Sequence, residues 1–178
     1  MNQCCLAAVV YRHGGPLEGV LAAARDRLAA RGDVRLGGVI PRFGERLSNG
    51  RAALLLDDIG HGDTIVISQD LGPGSTSCRL SADGLAHARV RLAGAIESKP
   101  DVLFLGRFGK EEIAGRGIRE EIGSAVVAGL LAVVAVEERM LPAWTAFAGE
   151  DYVVLPADAE AIVAWVGSLL PPCGLPHH

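Results

Sequence analysis

The chain has 178 residues, 49% of them hydrophobic and 4% aromatic, with 17 Lys and Arg against 21 Asp and Glu. That length covers one well-buried core and is short for two, so a single domain over residues 1–170 is expected, followed by a disordered tail over 171–178. A net charge of -4, without any interleaving of basic and aromatic residues, argues against general binding to nucleic acid.

Taken in chain order, "CCLAAVVY" opens the sequence with no Lys or Arg before it and no small-residue cleavage site behind it, so residues 5–11 read as a buried strand and not a signal peptide. A glycine-proline turn at Gly14, Gly15 and Pro16 leads into a helix whose Leu17, Val20, Leu21, Ala24 and Leu28 share one face up to Gly32. Residues 34–42 form the next expected strand. Residues 52–59 and 63–71 follow as a hairpin or edge extension around a His-Gly turn. The spacing of Leu85, Ala88, Leu92, Ala95 and Ile96 predicts a helix over 81–98 with Ser81 as its N-cap. Strands are expected over 101–106, 130–136 and 151–156, and helices over 117–128, 139–148 and 157–170. The longest apolar run, residues 124–136, is too short to span a bilayer, and Gly129 divides it into a helix end and a strand.

Uninterrupted apolar strands separated by helices imply a three-layer α/β fold: a mainly parallel sheet, with strands 5–11, 34–40, 101–106 and 130–136 at its centre, and helices on both faces. Four cysteines, Cys4, Cys5, Cys78 and Cys173, show no CxxC pair and no zinc-type spacing, which fits a reducing cytoplasm and leaves the vicinal Cys4 and Cys5 without a role. No motif names a cofactor or a metal.

In such folds ligands sit at the carboxyl ends of the parallel strands. Two loops expected there carry unusual chemistry. In "LGPGSTSCRL", Gly72, Gly74, Ser75, Thr76, Ser77 and Cys78 offer backbone N–H groups and side-chain donors to an anion, with Arg79 beside them. The alternative is a polar turn whose Gly and Pro serve only the backbone. In "FLGRFGKEEIAGRGIREEIG", Arg107, Lys110, Arg116 and Arg119 stand among glycines after a buried strand. Arginine can grip an oxyanion through two parallel hydrogen bonds, whereas lysine supplies a point charge. Glu111, Glu112, Glu120 and Glu121 supply the opposing reading of an exposed ion-paired helix. Lone His13 and His61 read as surface residues, Cys78 as loop packing, and Asp57–Asp58 as solvated turn chemistry.

The segments "FLGRFGKEEIAGRGIREEI", "ISQDLGPGSTSCRL", "LAAVVY" and "LPAWTAFAG" together resemble a bacterial domain family of unknown function, often encoded beside molybdate-transport and nitrogenase genes. That family is similar to small P-loop nucleoside-triphosphatases with an acidic Walker B segment. The resemblance implies a P-loop-NTPase-like fold without a functional Walker A. The two expected acids fall on Gly106 and Arg107, Gly109 and Glu112 remain, and "YRHGGPLEGVL" stands in place of the lysine-bearing loop. Loss of both parts removes the positioning and charge neutralisation that phosphoryl transfer requires.

The expected function is non-catalytic binding of an oxyanion or nucleotide phosphate, linked to molybdate handling. The alternative is a nucleoside-triphosphatase or phosphotransferase with an atypical site. The expected partner is a small molybdate-like oxyanion or a nucleotide, with no membrane and no nucleic acid, and with homo-oligomer formation open.

Overall fold

The continuous apolar runs fold as inner strands, because a strand covered on both faces has no wet side to alternate toward. A computed structural model describes residues 4–74 and 80–170. In chain order it contains β1 (Leu6–Tyr11), α1 (Leu17–Ala30), β2 (Leu36–Arg46), β3 (Ala52–Asp58), β4 (Thr64–Val66), α2 (Ala82–Glu97), β5 (Val102–Phe108), α3 (Lys110–Ile113), α4 (Arg119–Val127), β6 (Leu131–Glu137), a 3-10 turn (Glu138–Met140), α5 (Leu141–Ala148), β7 (Val153–Pro156) and α6 (Ala159–Leu169).

The strands make one seven-stranded sheet in the order β4-β3-β2-β5-β6-β1-β7. β2, β5, β6, β1 and β7 are parallel to one another, while β3 and β4 extend the sheet as antiparallel strands beyond β2. On one face α1 and α6 bury Leu21, Leu28, Ile162 and Val166 against Val9, Phe104 and Val133. On the other, α2, α4 and α5 bury Leu92, Ile122 and Trp144 against Leu103, Leu105 and Val134. The expected mainly parallel sheet with helices on both faces is therefore the observed architecture, and its four expected inner strands lie at its centre.

Several boundaries differ for local reasons. The strand expected over 63–71 is only three residues, Thr64–Val66, because the Leu54 N–H donates to Ser68 Oγ (2.9 Å) and not to a carbonyl, which ends the ladder. β5 runs two residues past Gly106, to Phe108. The connection to α4 contains the unexpected one-turn helix α3, and α4 starts at Arg119, not near Gly117. The helix expected over 139–148 starts as a 3-10 turn before Pro142 allows the α-helix proper. Ser81 caps α2 as expected, accepting from the Gly84 N–H at 3.1 Å. The tail 171–178 lies outside the described residues, and no helix among the described residues is long and apolar enough to cross a membrane.

Candidate functional site

From β1 the chain crosses through α1 to β2, on one side; from β6 it crosses through the 3-10 turn and α5 to β7, on the other. β1 and β6 are neighbours, so their connections diverge and open a crevice at their carboxyl ends. Four segments converge on that edge: the β1–α1 turn, the ends of β5 and β6, and the 3-10 turn.

A bulge decides which face of the sheet Arg107 occupies at this edge. Phe104 pairs with Val133 of β6, but Arg107 pairs with Ala135, so β5 carries one extra residue between them. Gly106 sits there at φ +60, a left-handed conformation that glycine adopts without a Cβ penalty. A one-residue slip exchanges the faces of a strand. In-register Ala135 lies in the core under α1, and Phe108 pairs with Val136 in the opposite core. The bulge thus aims Arg107 to the α1 face, where unbroken alternation would have sent it into the core under α2 and α4. Arg107 is half-buried and has no ion-pair or hydrogen-bond partner among the described residues.

The β1–α1 turn is five residues, 12–16, and is closed on itself. The Gly15 N–H donates to the Arg12 carbonyl at 2.8 Å and the Leu17 N–H to the Gly15 carbonyl at 2.9 Å. A Cβ on Gly15 would stand 2.9 Å from the Arg12 oxygen. These two amides are engaged locally, and the turn is shorter than the glycine-rich loops that wrap a polyphosphate. It contains no Lys, Ser or Thr.

Glu137, the last residue of β6, pairs in register with Tyr11 and therefore shares the α1 face with Arg107. Its side chain is only 10% exposed. Oε1 accepts from Arg139 Nε at 2.5 Å and lies 3.4 Å from His13 Nδ1. Oε2 takes no hydrogen bond among the described residues. Arg12 pairs with Glu138 at 3.7 Å, an exposed contact of little energetic weight. The crevice therefore combines a half-buried guanidinium without a partner and a buried carboxylate with one oxygen available.

The other expected cations have intramolecular partners. Arg116 Nε donates to Glu111 Oε2 at 3.0 Å, which raises the arginine pKa further. Arg119 donates to the Glu112 carbonyl at 3.1 Å and lies 4.7 Å from the Phe147 ring centroid, a cation–π contact. Lys110 is exposed and has no partner among the described residues. Glu112 is buried and organises the whole connection: Oε2 accepts from the Gly109 N–H at 2.8 Å and Oε1 from the Ile118 N–H at 3.1 Å.

The glycine loop begins elsewhere on the edge. Asp70 accepts from the Ser48 hydroxyl at 2.6 Å and the Gly72 N–H at 3.0 Å, bonds that hold its carboxyl below the usual range and tie Gly72 to the β2–β3 turn. The Ser68–Leu80 bridge closes the loop's base beyond β4, three strand spacings from β5, or about 14 Å. Gly72 and Gly74 are described, whereas Ser75, Thr76, Ser77, Cys78 and Arg79 lie outside the described residues. No hydrogen bond or ion pair among the described residues joins Gly72 or Gly74 to Arg107, Lys110, Arg116 or Arg119.

Asp57 and Asp58 are not solvated turn residues. Asp57 accepts from Arg42 Nε at 3.0 Å and Thr64 Oγ1 at 2.9 Å, and buried Asp58 from Arg91 at 2.9 Å with His61 Nδ1 at 3.0 Å. This network fastens the β3–β4 turn to α2. No group of three or more potential metal ligands occurs among the described residues.

Residues 6–165 match the family described as "Protein of unknown function (DUF2478)". The chain belongs to this family. Over 160 residues, 90% of its length, the DUF2478 chain is 36% identical to the molybdenum import ATP-binding protein ModC 2 of Bradyrhizobium diazoefficiens, yet it spans only 18% of that protein. Its fold is similar to THEP1 from the hyperthermophile Aquifex aeolicus, with a TM-score of 0.65 at 13% identity, covering 96% of this chain and 100% of the other. The DUF2478 chain has the mainly parallel α/β fold of P-loop NTPases.

Sequence reasoning missed Glu137, whereas His13, expected at the surface, is exposed. The available signal was a single acid terminating an otherwise wholly apolar strand, "LAVVAVE", at a carboxyl end.

Proposed function

We propose that this chain is a non-catalytic binder of an oxyanion or nucleotide phosphate, built on an NTPase-type fold and serving molybdenum handling. The observation that carries the reading is Arg107: a bulge turns it to the α1 face at the carboxyl edge of the sheet, where it is half-buried and meets no carboxylate among the described residues. A guanidinium held this way is prepared for an exogenous anion, with exposed Lys110 nearby in sequence. Non-catalysis is supported by the self-bonded β1–α1 turn and by Gly106 and Arg107 standing where magnesium-binding acids are expected. The tie to molybdenum is supported by the name of the ModC 2 relative, of which this chain matches a minor part.

The test is a thermal-shift series with molybdate, tungstate, sulfate, phosphate, ATP and GTP on wild type and Arg107→Ala. Selective binding to the native state raises the midpoint. An anion-dependent rise that disappears in Arg107→Ala supports the reading. A rise unaffected by that change sinks it.

A further inference from the structure

The crevice contains an acid as well as a cation, and the acid restricts what can bind. Glu137 and Arg107 lie on the same face of adjacent parallel strands, Glu137 two residues beyond Ala135, the partner of Arg107. Strand geometry puts their Cα atoms on the order of 8 Å apart. No ion pair joins them, although a guanidinium and a carboxylate so placed are within reach of one another. Arg139 and His13 approach Glu137 at Oε1 only, which leaves Oε2 as an acceptor on the strand face it shares with Arg107. A fully ionised tetrahedral oxyanion offers that oxygen nothing but repulsion between acceptors, against a carboxylate whose side chain is itself only a tenth exposed. An oxyanion that keeps a proton offers it an O–H donor, and a carboxylate acceptor makes such a hydrogen bond short and strong.

We infer that the site selects a protonated, phosphate-type oxyanion over fully ionised sulfate- or molybdate-type oxyanions, with Glu137 Oε2 accepting the ligand's proton-bearing hydroxyl and Arg107 carrying its charge. The inference rests on the anion-binding reading above and narrows it: within a molybdenum-handling protein this domain would recognise phosphate, free or on a nucleotide, and not the metal oxyanion. Charged groups on the adjoining segments include Arg12 and His13 from the β1–α1 turn, Glu138 and Arg139 from the 3-10 turn, Glu18 from α1 and Lys110 after β5. Glu18 is engaged by the Phe43 N–H at 3.2 Å, and none of the others offers a second buried acceptor.

The test is isothermal titration of the full chain at pH 7 with inorganic phosphate, sulfate and molybdate as probes, on wild type, Glu137→Gln and Arg107→Ala. Phosphate keeps a proton at this pH, and the other two do not. Wild type is expected to favour phosphate by on the order of tenfold or more. Glu137→Gln, nearly isosteric and able to donate through its amide, is expected to close that gap by strengthening sulfate and molybdate. Equal or tighter wild-type binding of sulfate or molybdate overturns the inference, as does an unchanged ratio in folded Glu137→Gln. The wild-type ratio decides by itself if the variant does not fold. Absence of binding by all three anions, or binding indifferent to Arg107→Ala, removes the anion-binding reading and this inference with it.

Discussion

Gly117 lies so close to the carboxylate of Glu112 that a Cβ on it would stand 2.1 Å from Oε1. The same carboxylate holds the Gly109 and Ile118 N–H groups, so the left-handed Gly117, at φ +64, is what lets one buried acid span the connection between β5 and α4. Gly117→Ala is expected to displace Glu112 and cost on the order of 3 kcal/mol, combining left-handed strain with a lost charge-assisted hydrogen bond. Gly115 is also left-handed, at φ +85, but has nothing within 4 Å of its added Cβ. Gly115→Ala should therefore show only the strain, about 1 kcal/mol. Denaturant unfolding of both variants checks this, and equal losses would remove the role given to Glu112.

Arg91 is the hub of the β3–β4 turn, donating to buried Asp58 at 2.9 Å and to both oxygens of Asp63 at 3.1 and 2.9 Å. Arg91→Ala is expected to lower the melting temperature at neutral pH, because Asp58 stays buried without its guanidinium partner and keeps only the contact with the His61 ring. The hydrogen bond from Arg91 holds the Asp63 carboxyl below its ordinary 3.8. A depressed folded-state pKa contributes stability that is present above 3.8 and lost as pH falls through the folded value. The gap in melting temperature between wild type and Arg91→Ala should accordingly narrow in acid below that pH. A gap that is constant down to strong acid would assign the stabilisation to packing.

The inner strands and the cap at Ser81 were legible because they are governed by local pattern: apolar continuity in one case, a side-chain oxygen three residues from an N–H in the other. The end of β5 was not. Gly106 reads as a stop signal in sequence, yet in the sheet it is a bulge that lets the strand continue and turns Arg107 over. Which face a residue occupies after a bulge depends on the neighbouring strand, and β6 is remote in sequence. Pairing between Arg116 and Glu111 was a legible alternative at five-residue spacing. Partners for Arg119 depended on Phe147, brought in by α5, and no local spacing could supply them.

Hydrolysis of ATP and GTP with Mg²⁺ present is expected to proceed no faster than a matched blank. The short β1–α1 turn has no Lys, Ser or Thr and spends its Gly15 amide on Arg12, and Gly106 and Arg107 offer no carboxylate to a metal at the end of β5. Purified wild type and Arg107→Ala assayed together decide the matter. Robust turnover abolished by the substitution would favour the enzymatic alternative, whereas weak turnover equal in both points to a contaminant.

Arg107 itself separates a geometric from a merely electrostatic role. A guanidinium presents a planar fork of donors, while a lysine at the same place retains the charge but not the two parallel hydrogen bonds. Because Arg107 has no intramolecular partner among the described residues, its removal breaks no ion pair there and should leave folding stability nearly unchanged. Arg107→Ala is expected to weaken binding of the preferred anion by roughly ten- to a hundredfold, the equivalent of about 1.5–3 kcal/mol for a hydrogen bond to a charged group. Arg107→Lys should recover part of that loss and become more salt-sensitive, since a point charge in a partly open crevice is screened more readily than a bidentate contact. Titrations of the three proteins at low and physiological salt read both effects. Full recovery by lysine would mean that the bulge at Gly106 delivers only a charge; no recovery would mean that it delivers the fork.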